Sequence, residues 1–282
     1  MLLPAAGLAG GVFGGGLFFA GAESLGFFAP AGEAAPTFEY FARAARDPEV
    51  RAAVFLTFFV TAAATGIAAV GGALVAVGLR EKMRRSAALK TLLQVPLAVP
   101  HLAVALIVLG VLAPSGFVAR LFALVGAIDS PSEFPVLVND AYGAGVILSY
   151  ALKETPFIAL MILTVLARAG DEYETAAQNL GASRWQRFRF VTLPLMMPPL
   201  VFSSLLAGVF VFGAYEVPLV LGRVYPSMLA VAAHRKFGGT DLGDRPEAMA
   251  LAVLMTLATM IAAAVYLKFS ERLLRLEKTS IF

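Results

Sequence analysis

Four side chains stand out because their types do not suit their surroundings. Lys153 and Glu154 are adjacent in the middle of an otherwise apolar stretch. Glu216, next to Tyr215, lies between Gly213 and Pro218 in a second such stretch, and His101 follows Pro96 and Pro100 in a third. Charges inside an apolar helix are expensive, so they pair with other helices or line a water-filled path. Sequence neighbours point about 100° apart on a helix, so Lys153 and Glu154 each need a partner of their own. For both of them, pairing and lining a solute path remain open. Glu216 sits where a helix is expected to break, which favours a place near a path. His101 fits a hydrogen-bonded helix histidine as well as a functional one. Other chemistry is excluded more sharply. With no Cys there is no disulfide or thiolate nucleophile, and two His do not make a histidine-rich metal site. No Gly-x-x-x-x-Gly-Lys-Ser/Thr loop is present, so ATP is not hydrolysed by that route. No catalytic residue, metal site or cofactor is expected in this chain.

The longest polar stretch runs from Asp171 to Pro194. Asp171 can cap a helix, with Glu174 three residues later reaching back to it. Ala176, Ala177 and Leu180 form one face of that helix, and Gly181 can end it in the left-handed conformation. Ser183 and Gln186 make a second capping box. A second short helix carries Trp185, Arg187, Phe188 and Arg189, and Pro194 is expected to break it. The stretch therefore reads as helix, glycine joint, helix.

The elements around these residues are membrane spans. The chain is 59% hydrophobic and 15% charged, with a mean hydropathy of +0.81, and this excess fits a bilayer. An all-α membrane protein with six transmembrane helices is expected, at about 2–28, 52–78, 92–112, 141–167, 196–221 and 249–267. The helix-turn-helix 171–194 falls between spans 4 and 5. The first span lacks a preceding Lys or Arg, so an uncleaved span is expected over a signal peptide; a start a few residues upstream would supply the missing flank. Phe38, Tyr40, Phe41 and Ala45 form one side of a short interfacial helix. Asp47-Pro48-Glu49 is a helix start of cap, proline and acid. Pro96 and Pro100 kink span 3 and free backbone carbonyls, which survive only beside protein or water. His234, Arg235 and Lys236 are expected on a solvated external face.

Six spans put both termini on one side. Thirteen of the 22 Lys and Arg lie in 79–90, 168–195 and 268–282, and eight lie on the longer connectors opposite. The positive-inside rule places both termini and the 171–194 stretch in the cytoplasm. The net charge of +3 is small and clustered beside spans, which suits orientation in a bilayer and not nucleic-acid binding.

The 171–194 stretch resembles the cytoplasmic coupling loop of ABC-importer permeases, Glu-Ala-Ala, three residues, Gly, nine residues, Ile-x-Leu-Pro. Ala176, Ala177, Gly181, Val191, Leu193 and Pro194 fall in register. Thr175 holds the glutamate position, with Glu174 one residue earlier, and Val191 holds the isoleucine position. Lys153 to Phe157 and Phe212 to Gly222 are similar to segments of the spermidine/putrescine-type, binding-protein-dependent permeases. The likeness covers about residues 50–270.

The resemblance implies a single permease domain in a bacterial inner membrane, forming half of a translocation path. Its partners would be a separate ATPase pair that binds ATP and magnesium, a second permease chain (a different chain in preference to a copy), and an extracytoplasmic solute-binding protein. ATPase coupling would fall to Glu174, Thr175, Ala176, Ala177, Leu180, Gly181, Trp185, Leu193 and Pro194. His101, Lys153, Glu154, Tyr215 and Glu216 are the path candidates. A polyamine is the expected solute, with thiamine, ferric iron, an oxyanion or a phosphonate as alternatives. The rival readings are a stand-alone secondary transporter or channel, and a membrane anchor with no path.

Overall fold

The computed structural model describes residues 3–27, 36–167 and 171–279, and these form helices and loops with no strand. In order the helices are α1 (Leu3–Ser24), α2 (Glu39–Arg46), α3 (Pro48–Arg85), α4 (Ala87–Ala98), α5 (His101–Leu112), α6 (Phe117–Leu124) and α7 (Ala144–Val165). Then come α8 (Asp171–Asn179), α9 (Arg184–Arg187), α10 (Leu193–Phe212), α11 (Glu216–Leu221), α12 (Leu229–Phe237) and α13 (Arg245–Thr279). Among the described residues, five helical stretches are long and apolar enough to cross a membrane: Pro48–Met83, His101–Leu124, Ala144–Val165, Arg184–Phe212 and Leu242–Val265.

The centre is α3 packed along α7, with α10 laid against both. Ala68, Ala76, Ile158, Ile162 and Leu166 form the core at one end; Leu56, Val60, Val146, Tyr150 and Val211 form it at the other. α1 packs on α13.

Asp47 starts α3 as its sequence suggests, its Oδ1 accepting the Glu49 N–H at 2.8 Å with Pro48 in the first turn. The short α2 buries Tyr40 and Ala44, whereas Phe38 and Ala45 face out; the i, i+4 pair supplies its inner face.

Three expectations are corrected. The third span is not one kinked helix over 92–112. It is broken between α4 and α5 at Val99 and Pro100, where Val99 is extended. The residue before a proline is pushed out of the helical region, and Pro100 has no N–H to continue the ladder. Pro96 sits inside α4 without ending it. Secondly, Pro194 does not break the second short helix. Residues Phe188–Thr192 form a π-turn that leads α9 straight into α10, giving one helical stretch from Arg184 to Phe212. A π-turn spaces its hydrogen bonds by five residues, which absorbs the mismatch a proline creates. Thirdly, α13 begins at Arg245 and continues to Thr279 through the charged tail. The break foreseen near Gly213 is present, between the end of α10 and the start of α11.

His234 and Arg235 are exposed and Lys236 is half-buried, so this basic face is open to solvent in part, but it is also paired. Lys236 reaches Asp47 Oδ2 and Glu247 Oε1, each at 2.9 Å, and Arg235 pairs with Glu49 while donating to the Val224 carbonyl. The cationic end of α12 thus meets the acidic first turns of α3 and α13, a favourable arrangement of helix dipoles. The buried Thr57 hydroxyl also accepts the Leu229 N–H at the start of α12. Burial pulls the Lys236 pKa down, but the hydrogen bonds and charges of Glu247 and Asp47 outweigh it and hold it above the ordinary lysine value of 10.5. A raised lysine pKa stabilises the fold fully below the unfolded value, and that contribution is lost as pH rises through the folded one. Lys236→Met is expected to cost about 1–2 kcal/mol at neutral pH, the pair being partly exposed. Melting curves in detergent should show the wild type approaching the variant above pH 10.5; a constant gap across that range would count against the pairing.

Candidate functional site

Two places in the fold carry the polar residues singled out above. The first lies between α4, α5, α7 and α10. α4 ends at Ala98, and its last carbonyls have no helical partner. Lys153 fills this gap from α7. Its Nζ donates to the carbonyls of Pro96 at 2.6 Å, Leu97 at 3.1 Å and Val99 at 2.5 Å. An ammonium has three donors, so all are committed and none is offered to a solute. Glu154 turns the other way, and its Oε1 lies 3.2 Å from His101 Nε2 at the start of α5. The two neighbours do take separate partners. The His101 ring lies tilted against Phe210 at 4.6 Å and against Tyr150 at 6.1 Å. An open cleft of about 270 Å³ is lined by His101, Lys153, Glu154, Phe157, Leu206 and Phe210, among others.

Tyr215 and Glu216 do not line that cleft. The Tyr215 ring lies on His234 of α12 at 4.6 Å. Glu216 opens α11 just past the helix break; it is exposed and has no hydrogen bond or ion pair among the described residues. Phe210 was not singled out from the sequence, since nothing distinguishes it there from the lipid-facing residues of α10.

The second place is the 171–194 stretch. Asp171 opens α8, but its side chain, and so its expected cap, lies outside the described residues. Gly181 closes the helix in the left-handed region, φ +81°. The N–H of Gly181 bonds to the Gln178 carbonyl and that of Ala182 to Ala177, a Schellman end. Ser183 and Gln186 form the full capping box that starts α9. Arg187 ties α9 to α8 through Gln178 at 3.1 Å. Two large apolar side chains stand out on its outer surface. Leu180 is 89% exposed and Trp185 69%, with Thr175, Ala176, Gly181 and Pro194 exposed beside them and Ala177 and Leu193 half-buried. Glu174 points inward instead. Its Oε1 accepts from Arg80 Nη1 and from the Thr192 hydroxyl, each at 2.6 Å. Neither partner was named from the sequence; the only hint was that Arg80 is the first charge after the uncharged run of span 2.

Comparison with known proteins fits this architecture. Residues 66–276 match the family model of the binding-protein-dependent transport system inner membrane component. The sulfate transport system permease protein CysT of Salmonella typhimurium is 27% identical over 225 residues, covering 79% of this chain and 76% of that protein. The putative 2-aminoethylphosphonate transport system permease protein PhnV of Salmonella typhi is 27% identical over 149 residues, 53% of this chain and 55% of that protein. The fold is shared with a bacterial ABC transporter involved in the import of the acidic polysaccharide alginate. That match has a TM-score of 0.73 at 19% identity and covers 89% of this chain and 87% of that one. A chain whose described residues are helical, with several apolar helices, a largely apolar cleft that carries His101, Lys153 and Glu154, and an exposed helical tip, thus belongs to the binding-protein-dependent inner-membrane component family, as a multi-pass permease subunit of an ABC importer that is not itself an enzyme.

Proposed function

We propose that this chain forms half of an ATP-driven import path, with α8 as the helix that docks into a groove on a separate ATPase. The observation that carries this is the exposed tip formed by Leu180, Gly181 and Trp185. Apolar side chains held in the open by two well-capped helix ends suit burial in a partner. In this reading α1 is the first of six spans, both termini and α8 are cytoplasmic, and residues 1–282 form one permease domain. ATP and magnesium bind the ATPase pair, and closure of that pair draws the α8 helices of two permease chains together, rocking the spans between two states. The second permease chain is a different one, and a solute-binding protein delivers cargo from the opposite side. A solved fold neighbour is described in complex with an alginate pentasaccharide-bound periplasmic protein, which supports that arrangement.

The solute proposed is a small oxyanion. CysT and PhnV are named for sulfate and 2-aminoethylphosphonate, and the polyamine expectation finds no support among the relatives compared. With the donors of Lys153 committed and Glu154 paired, the cleft offers an anion no free ammonium. Selection then rests with the binding protein, and His101, Glu154 and Phe210 line a passage instead of a tight site.

Gly181→Arg tests the docking. A Cβ at Gly181 would meet nothing within 4 Å, so the larger side chain leaves the permease inserted, at about 1 kcal/mol for the left-handed backbone. In vesicles holding the complete complex, solute uptake should fall at least about tenfold, as expected when an interface centre is filled with an unpaired charge. Unchanged uptake would sink the docking reading. Uptake of radiolabelled sulfate against putrescine, with the cognate binding protein present, tests the solute; import of putrescine alone would return the polyamine.

A further inference from the structure

We propose that Glu174 is a positioning residue that fastens α8 to the spans, and that it does so from inside the permease and not by touching the ATPase. The inference rests on the coupling role proposed for α8. One carboxylate oxygen holds two elements at once. Oε1 accepts from Arg80 at the end of α3 and from Thr192 in the π-turn that enters α10, each at 2.6 Å. Arg80 extends the chain of contacts with its second nitrogen, 3.4 Å from the Leu166 carbonyl at the end of α7. A single Arg–Glu–Thr relay therefore ties α8 to the ends of α3, α7 and α10.

This is unlike an ordinary surface ion pair. Arg80 and Glu174 are 94 residues apart in sequence, their side chains are 15% and 29% exposed, and Thr192 is buried. Exposed pairs add little to stability; the consequence of this one lies in what it connects. α8 packs mainly on the π-turn and α9, and this relay joins it to α3. A push on Leu180 and Gly181 reaches α3 through Glu174 and Arg80, and α10 through Thr192. The one-residue offset noted in the sequence now has a physical meaning. Thr175 is rotated by about 100° from Glu174 on the helix. The carboxylate that would face outward at 175 faces inward at 174.

The test uses the complete complex, purified from its membrane with its ATPase and binding protein and placed in vesicles. Two quantities are read together: solute uptake, and ATP hydrolysis stimulated by the binding protein. Glu174→Gln and Arg80→Met are expected to lower uptake per ATP about tenfold while hydrolysis continues, within the usual range of couplings between sites. The reciprocal exchange, Arg80→Glu with Glu174→Arg, should recover most of that loss, whereas a purely structural role would lower the amount of assembled complex and leave uptake per ATP unchanged. If the charge variants do not assemble, Thr192→Val decides, since it removes one hydroxyl from a near-isosteric side chain; a fall of about threefold is expected. Unchanged uptake per ATP in these variants, in a complex whose wild type is coupled, overturns the inference alone. A wild-type complex with no ATP-coupled uptake overturns the proposed function and the inference with it.

Discussion

Lys153→Met is expected to destabilise the protein by about 3–5 kcal/mol, the range found when one partner of a buried charged network is removed. The two side chains are similar in length, so packing changes little and the loss isolates the hydrogen bonds. Lys153 is 5% exposed and is the donor to the carbonyls of Pro96, Leu97 and Val99. The Pro96 carbonyl is an orphan because Pro100, its helical partner, has no N–H, and the departure of the chain from the helix at Val99 strands the other two. At membrane depth water does not replace a missing donor, and each bare carbonyl costs several kcal/mol. Lys153→Arg should fall between the two, because a planar fork cannot converge on three carbonyls as an ammonium does. The measurement is thermal unfolding in mild detergent. A Lys153→Met protein that melts with the wild type would mean that α4 ends in water and that Lys153 is free for the path.

Local features of this chain were legible in its sequence and distant ones were not. The Asp47 start of α3, the left-handed Gly181 and the Ser183–Gln186 box are short-range geometries, fixed by residues within three or four positions, and all three are present. The family pattern in 171–194 also reads locally, and it found the membrane family. That Lys153 and Glu154 would part company followed from helix geometry alone. Which partners they take did not, since Pro96 lies 57 positions from Lys153 and His101 lies 53 from Glu154. The same distance hid Arg80 from Glu174. Proline misled twice for one reason. Its effect depends on whether the helix can change its spacing: at Pro194 a π-turn absorbs it, whereas at Pro100 the preceding Val99 leaves the helix altogether. The acidic partners of the basic cluster on α12 were hidden because Asp47, Glu49 and Glu247 belong to the ends of two spans that only the fold brings to it.

Gly72→Ala should cost about 1–3 kcal/mol, the usual penalty for overpacking a close-packed interior, although alanine is the better helix former by about 0.5–1 kcal/mol. The reason is the contact between α3 and α7. A Cβ at Gly72 would stand 2.7 Å from Ile158 Cγ2, 2.8 Å from Ile158 Cβ and 3.1 Å from the Ala159 nitrogen. Two of these atoms are fixed to the α7 backbone, so no rotamer change relieves the clash. Next to it, Gly71 leaves 3.1 Å to the Thr155 hydroxyl. Small residues at this crossing let the two backbones approach, as is common between helices in membranes. Ile158 is wholly buried and lies little more than one turn from Lys153 and Glu154. Pushing α7 outward at Ile158 would therefore also pull Lys153 from its carbonyls and Glu154 from His101, and Gly72→Leu should prevent assembly of the cleft altogether. Gly66, on the same helix, supplies the control, since a Cβ there meets nothing within 4 Å. Gly66→Ala should raise the melting temperature slightly while Gly72→Ala lowers it. Equal shifts in the two variants would show that α3 and α7 do not pack this closely in the membrane, and the route by which α7 holds its two charges would have to be sought elsewhere.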